Sequence, residues 1–103
     1  MEAKFISEKD CIRVEISGEI DEYGAKKVRS AIDDVIENTP ALRSMIFDMK
    51  GVTFIDSTGL GFVLGRYKKL KENHAELLLA NVSGQVDKVF RTSGVYRYVP
   101  VVE

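Results

Sequence analysis

The sequence predicts a single α/β domain spanning residues 1–103, with a mixed, mostly parallel sheet, an N-terminal antiparallel hairpin and packed helices. Three observations predict it. Two short runs, Met45–Met49 and Glu76–Val82, are almost wholly apolar, the pattern of strands covered by neighbours. Segments with helical apolar spacing alternate with them, as strand-helix-strand units require. The opening residues instead show a period of two broken by a polar cluster, as a hairpin does.

Taken in order, Lys4-Phe5-Ile6 pairs with a strand in which Ile12, Val14 and Ile16 alternate with Arg13, Glu15 and Ser17. Ser7-Glu8-Lys9-Asp10 is the turn. From Glu22 to Asn38, the residues Ala25, Val28, Ile32, Val35 and Ile36 fall on one helical face, with Asp21 placed to cap it and Pro40 to stop it. Beyond strand 45–49, Leu60, Val63, Leu64, Tyr67 and Leu70 form the stripe of a second helix. Arg66, Lys68, Lys69, Lys71 and Glu72 are expected in water, the lysines near the negative dipole end. Ser83 is expected to cap a short third helix with Val86, Val89 and Phe90 inward and Gly94 as its stop. Tyr98–Val102 reads as a final edge strand, because Pro100 has no backbone donor. The expected order is β-β-α-β-α-β-α-β, without internal repeats, low-complexity tracts or linkers.

Composition narrows the function classes. The chain is 45% hydrophobic and 30% charged with a net charge of −1, so it can bury a core and lacks the positive field of a nonspecific nucleic-acid or acidic-lipid binder. Cys11 is alone and no charged-then-apolar leader precedes the first strand, which points to a reducing cytoplasm. No apolar run approaches the ~20 residues of a membrane span. One Cys and one His make a transition-metal site a poor expectation, and a monomeric free state is expected.

The informative stretch is Gly51-Val52-Thr53-Phe54-Ile55-Asp56-Ser57-Thr58-Gly59-Leu60-Gly61, which turns from an apolar strand into the second helix. Asp56 or Ser57 can cap the first turn, and Ser57 stands where a phosphate would meet free amides and the positive dipole end. Gly59, Gly61 and Gly65 each weaken a helix by up to ~1 kcal/mol relative to Ala, so either close packing or a flat binding surface must explain them. Their spacing is neither the dinucleotide fingerprint nor a triphosphate loop, and no cofactor is expected. A hydrolytic serine is excluded on geometry. His74, the only histidine, lies 17 residues along the same helix, about 25 Å from Ser57. A second strand-to-helix turn, Gly18-Glu19-Ile20-Asp21-Glu22, belongs to the same edge of a parallel sheet and would bring Glu19, Asp21 and Asp56 near Ser57 as an acidic patch.

These segments, with Gly65-Arg66-Tyr67-Lys68 and Val89-Phe90-Arg91-Thr92-Ser93-Gly94-Val95, resemble a STAS domain, and within that family the anti-sigma factor antagonists of the sporulation sigma F type. The resemblance runs in order over nearly the whole chain. It implies a non-enzymatic regulator that binds an anti-sigma factor serine kinase when unphosphorylated, frees a sigma factor, and is reset by a serine phosphatase. Carried across, Ser57 is the phosphorylated residue with Thr58 as second choice, and Asp21, Asp56, Gly59 and Gly61 border the partner surface. A STAS component of another regulatory or transport assembly is the alternative. The C-terminal helix usual in the family is not expected here, because the sequence stops at Glu103 just past the last strand.

Overall fold

The period-two pattern of the opening residues folds as a hairpin. In the computed structural model, which describes Met1–Glu103, β1 (Glu2–Glu8) and β2 (Cys11–Ile20) pair antiparallel from Glu2 opposite Ser17 to Glu8 opposite Cys11. The turn shrinks to Lys9 and Asp10, with Lys9 at φ 55°. Then follow α1 (Glu22–Glu37), β3 (Ser44–Ile55), α2 (Ser57–Glu72), β4 (Glu76–Ala80) and α3 (Gly84–Ser93). The sheet order is β1-β2-β3-β4, with β2, β3 and β4 mutually parallel. The expected fold class is the observed one.

Apolar alternation decides which face of the sheet is covered. Ile12, Val14 and Ile16 of β2 and Met45, Phe47 and Met49 of β3 join Ile32 of α1, Phe62 and Leu70 of α2 and Phe90 of α3 in one core cluster. Phe47 and Phe62 stack with ring centroids 6.0 Å apart. Glu15 and Ser17 of β2 and Lys50 of β3, like Lys4 of β1, are exposed. On the other face Arg13 reaches across to Asp48 at 2.9 Å and on to the carboxylate of Glu103. Asp48, 8% exposed, also accepts from Asn81 Nδ2 and from the Lys50 amide. Burial opposes its ionisation, but those donors and Arg13 prevail and hold its carboxyl below the ordinary value.

Three expectations are corrected. Residues 98–102 do not form a strand: Val95–Arg97 is a 3-10 turn, and only a parallel bridge between Leu79 and Val101 ties the tail to β4. Arg66 is not in water but 8% exposed, with Nε 2.8 Å from Asp33 of α1 and Nη1 donating to the Phe62 carbonyl. Burial draws its pKa down while Asp33 opposes that shift. Ser83 occupies the N-cap of α3, yet its side chain makes no capping bond. No helix is long and apolar enough to cross a membrane.

Candidate functional site

Two strand-to-helix turns stand side by side because the register of the parallel pair sets Ile20 opposite Ile55. Each turn has the sequence Ile-Asp-x-x-Gly: Ile20-Asp21-Glu22-Tyr23-Gly24 and Ile55-Asp56-Ser57-Thr58-Gly59. Each isoleucine is buried, anchoring the strand end in the core. Each aspartate is an N-cap in nearly the same extended backbone, φ −129° and ψ −176° at Asp21, φ −116° and ψ −171° at Asp56. Its carboxylate accepts the amide of the glycine three residues on, at 3.0 Å from Gly24 and 2.9 Å from Gly59. Sequence reading saw no internal repeat, but the fold uses this five-residue turn twice.

The capping alternatives are thereby resolved. Asp56 is the cap, so the exposed Ser57, first residue of α2, has a hydroxyl free of that task. Thr58 is exposed beside it. Glu22 occupies in the first turn the position Ser57 occupies in the second, so the neighbouring turn carries an exposed acid where this one carries the serine. Glu19 lies opposite Phe54 in the register, so Glu19, Asp21 and Asp56 all belong to this end of the sheet. Two aromatic side chains flank them: Tyr23, 90% exposed, and Phe54, 40% exposed. Neither was singled out from the sequence, where an aromatic is read first as core.

The glycines divide between the two explanations open at sequence level. A Cβ on Gly59 would lie 2.4 Å from the Ile20 carbonyl oxygen and 2.5 Å from Ile55 Cγ1, so close packing of the two turns requires glycine there. A Cβ on Gly61 or Gly65 would meet nothing within 4 Å. Those two instead floor a groove of about 550 Å³ between α1 and α2, with Thr58 at its rim and Lys26, Arg29 and Arg66 among its lining.

One contributor carried no local signal. β4 ends opposite Asp48, leaving the last residues of β3 without a neighbour on that side. There the side-chain amide of Gln85, in the first turn of α3, accepts from the Ile55 amide at 3.1 Å and donates to the Ile55 carbonyl at 2.9 Å. His74, by contrast, sits beyond the C-cap of α2 at φ 61°, at the opposite end of that helix from Ser57.

Comparison with known proteins agrees with this arrangement. Residues 4–103 match the STAS domain family. The chain is 30% identical over 90 residues to an anti-sigma F factor antagonist of Paenibacillus polymyxa, covering 87% of this chain and 76% of the relative. It is 36% identical over 84 residues to an anti-sigma-B factor antagonist of Bacillus subtilis, covering 82% and 74%. Among solved structures, the anti-sigma factor antagonist SpoIIAA in its unphosphorylated form superposes with a TM-score of 0.83 at 26% identity, over 99% of this chain and 89% of that one. The phosphorylated form of the Bacillus cell-fate determinant SpoIIAA gives 0.76 at 25% identity, over 99% and 92%. With its paired Ile-Asp-x-x-Gly turns and a free serine opening α2, the chain belongs to the STAS domain family, among relatives named as anti-sigma factor antagonists.

Proposed function

We propose that this protein is an anti-sigma factor antagonist: unphosphorylated, it binds an anti-sigma factor that is also a serine kinase, so releasing a sigma factor, and phosphorylation of Ser57 ends the binding until a serine phosphatase restores it. One observation carries the reading. Asp56 caps α2, so the Ser57 hydroxyl is exposed at a positive helix end with no structural bond to lose. Asp21 and Asp56 border the surface that would face the partner, and Gly61, where a Cβ would meet nothing within 4 Å, leaves the approach to Thr58 and Ser57 flat. A phosphate would arrive beside Glu22, Asp21 and Asp56, concentrating negative charge on this edge.

The test is incubation of the chain with ATP and an anti-sigma factor kinase of the organism that encodes it. Ser57→Ala should take up no phosphate and keep its fold, and Thr58→Ala should be modified at the normal rate. Phosphate uptake by Ser57→Ala together with its loss in Thr58→Ala would move the site to Thr58.

A further inference from the structure

We infer that Gln85 is a positioning residue for the switch serine: its amide stands in for the missing neighbour strand at the end of β3 and so fixes where Asp56 and Ser57 sit. This rests on the proposed role of Ser57. Along the rest of β3 the backbone is held by β2 on one side and, as far as Asp48, by β4 on the other. Ile55 is the last strand residue before the cap, and the whole residue is 1% exposed. A backbone that deep must find partners for both its N–H and its C=O. Only one orientation of a single side-chain amide satisfies both, and Gln85 presents it, much as a peptide of an adjoining strand would.

Three properties make this a placement device rather than a general brace. Gln85 is itself exposed and contributes nothing to the core cluster, so its removal leaves the hydrophobic packing of α3 through Val86 and Phe90 in place. Its two bonds fall on the residue immediately before the cap, two residues from Ser57. They also link that residue to α3, an element with no other hydrogen bond to the turn among those formed by side chains. The serine therefore takes its position from three sources: β2 on one flank, the Asp56 cap behind, and Gln85 on the other flank.

Amide exchange and kinase kinetics on the full chain test the idea together. In Gln85→Ala the Ile55 amide should exchange about 10- to 100-fold faster, the loss expected when a buried backbone donor gives up its partner. Phosphorylation of Ser57 should show kcat lowered on the order of three- to tenfold with KM unchanged, because docking contacts remain while the hydroxyl is less well placed. Gln85→Glu keeps the side chain's length and puts an acid in the first turn of α3, where the dipole favours it, but can no longer donate to the Ile55 carbonyl. Exchange at Val86–Phe90 should stay as in the wild type while kcat is still lost, which separates positioning from unfolding of α3. Unchanged Ile55 exchange in Gln85→Ala overturns the inference, as does raised exchange with unaltered kcat. A rise in KM alone overturns it too, since that would make Gln85 a contact of the kinase. If the wild-type chain takes no phosphate on Ser57, the proposed function fails, and exchange at Ile55 and at Asp56–Gly59 alone then decides whether Gln85 holds the turn.

Discussion

Asp21 and Asp56 do the same backbone work, yet only one precedes a serine, and this separates structural from functional contributions residue by residue. Asp21→Asn should leave α1 intact, because Asn caps about as well as Asp, while removing one charge from the edge. Titration against the anti-sigma factor should then show weaker binding; unaltered affinity and phosphorylation rate would return Asp21 to capping alone. Asp48 is held ionised for a different reason, on the open face and away from the switch. Its carboxyl lies below the ordinary value of 3.8 in the folded chain, so its contribution is complete above that pH and disappears as pH falls through the lower folded value. Asp48→Asn should therefore lower stability at pH 7, where Arg13 keeps Glu103 but loses its less exposed partner, and flatten the decline below about pH 4. Denaturant midpoints at pH 7 and pH 3 would measure both effects. Arg66 marks where single residues mislead. Periodicity assigns it to water, but its fate is set by Asp33 on another helix, which local spacing cannot reveal.

Elements were legible in proportion to their apolar periodicity. All three helices and the parallel crossovers could be read because Ala25, Val28, Ile32 and Ile36, or Val63 and Leu70, repeat at helical spacing and are buried as that spacing demands. Strand β3 was seen only as residues 45–49. Its continuation through Lys50 to Phe54 is largely exposed, so the apolar signal lapses while the hydrogen-bonded pairing with β2 goes on. The tail failed for the opposite reason: Tyr98–Val102 has strand composition but only one bridge to make. For the site, Ser57, Asp56 and Asp21 were legible as a strand-to-helix motif, whereas Gln85 acts across 30 residues of sequence and leaves no local pattern. The glycines of α2 supply the prediction at this scale. Gly59→Ala should destabilise by about 1–3 kcal/mol, because the new methyl strikes a backbone carbonyl that cannot retreat. Gly61→Ala should stabilise by about 0.5–1 kcal/mol, having open space and a better helix former. Thermal melts check both signs, and reduced partner affinity in the more stable Gly61→Ala would show that its flatness serves binding.

Over the whole molecule, the fold gives a phosphate on Ser57 no cause to rearrange the sheet. The group adds about −1.5 to −2 charges to a helix start that tolerates an anion. A partner carboxylate ~7 Å away would be repelled by about 1–5 kcal/mol for effective dielectrics between about 80 and 20, enough for tens- to thousands-fold weaker binding at the upper values. Amide-exchange maps of the two forms should differ only near residues 19–24 and 53–62, and added salt should recover part of the lost affinity. Protection changes spread through β1 or the body of α1 would show a conformational relay instead. The far rim of the same sheet carries a separate consequence. Leu79 donates to the Pro100 carbonyl, Val102 donates to Leu79 and Asn81 donates to Glu103, while the Glu103 side chain is moored to Arg13. Pro100–Glu103 thus cover the rim of the apolar strand Leu77-Leu78-Leu79-Ala80 at Leu79 and just beyond it at Asn81, backbone that would otherwise be free to pair with another molecule. Peeling that strip back would bare the backbone of Leu79 and Asn81 and leave the rim open to a strand of another molecule.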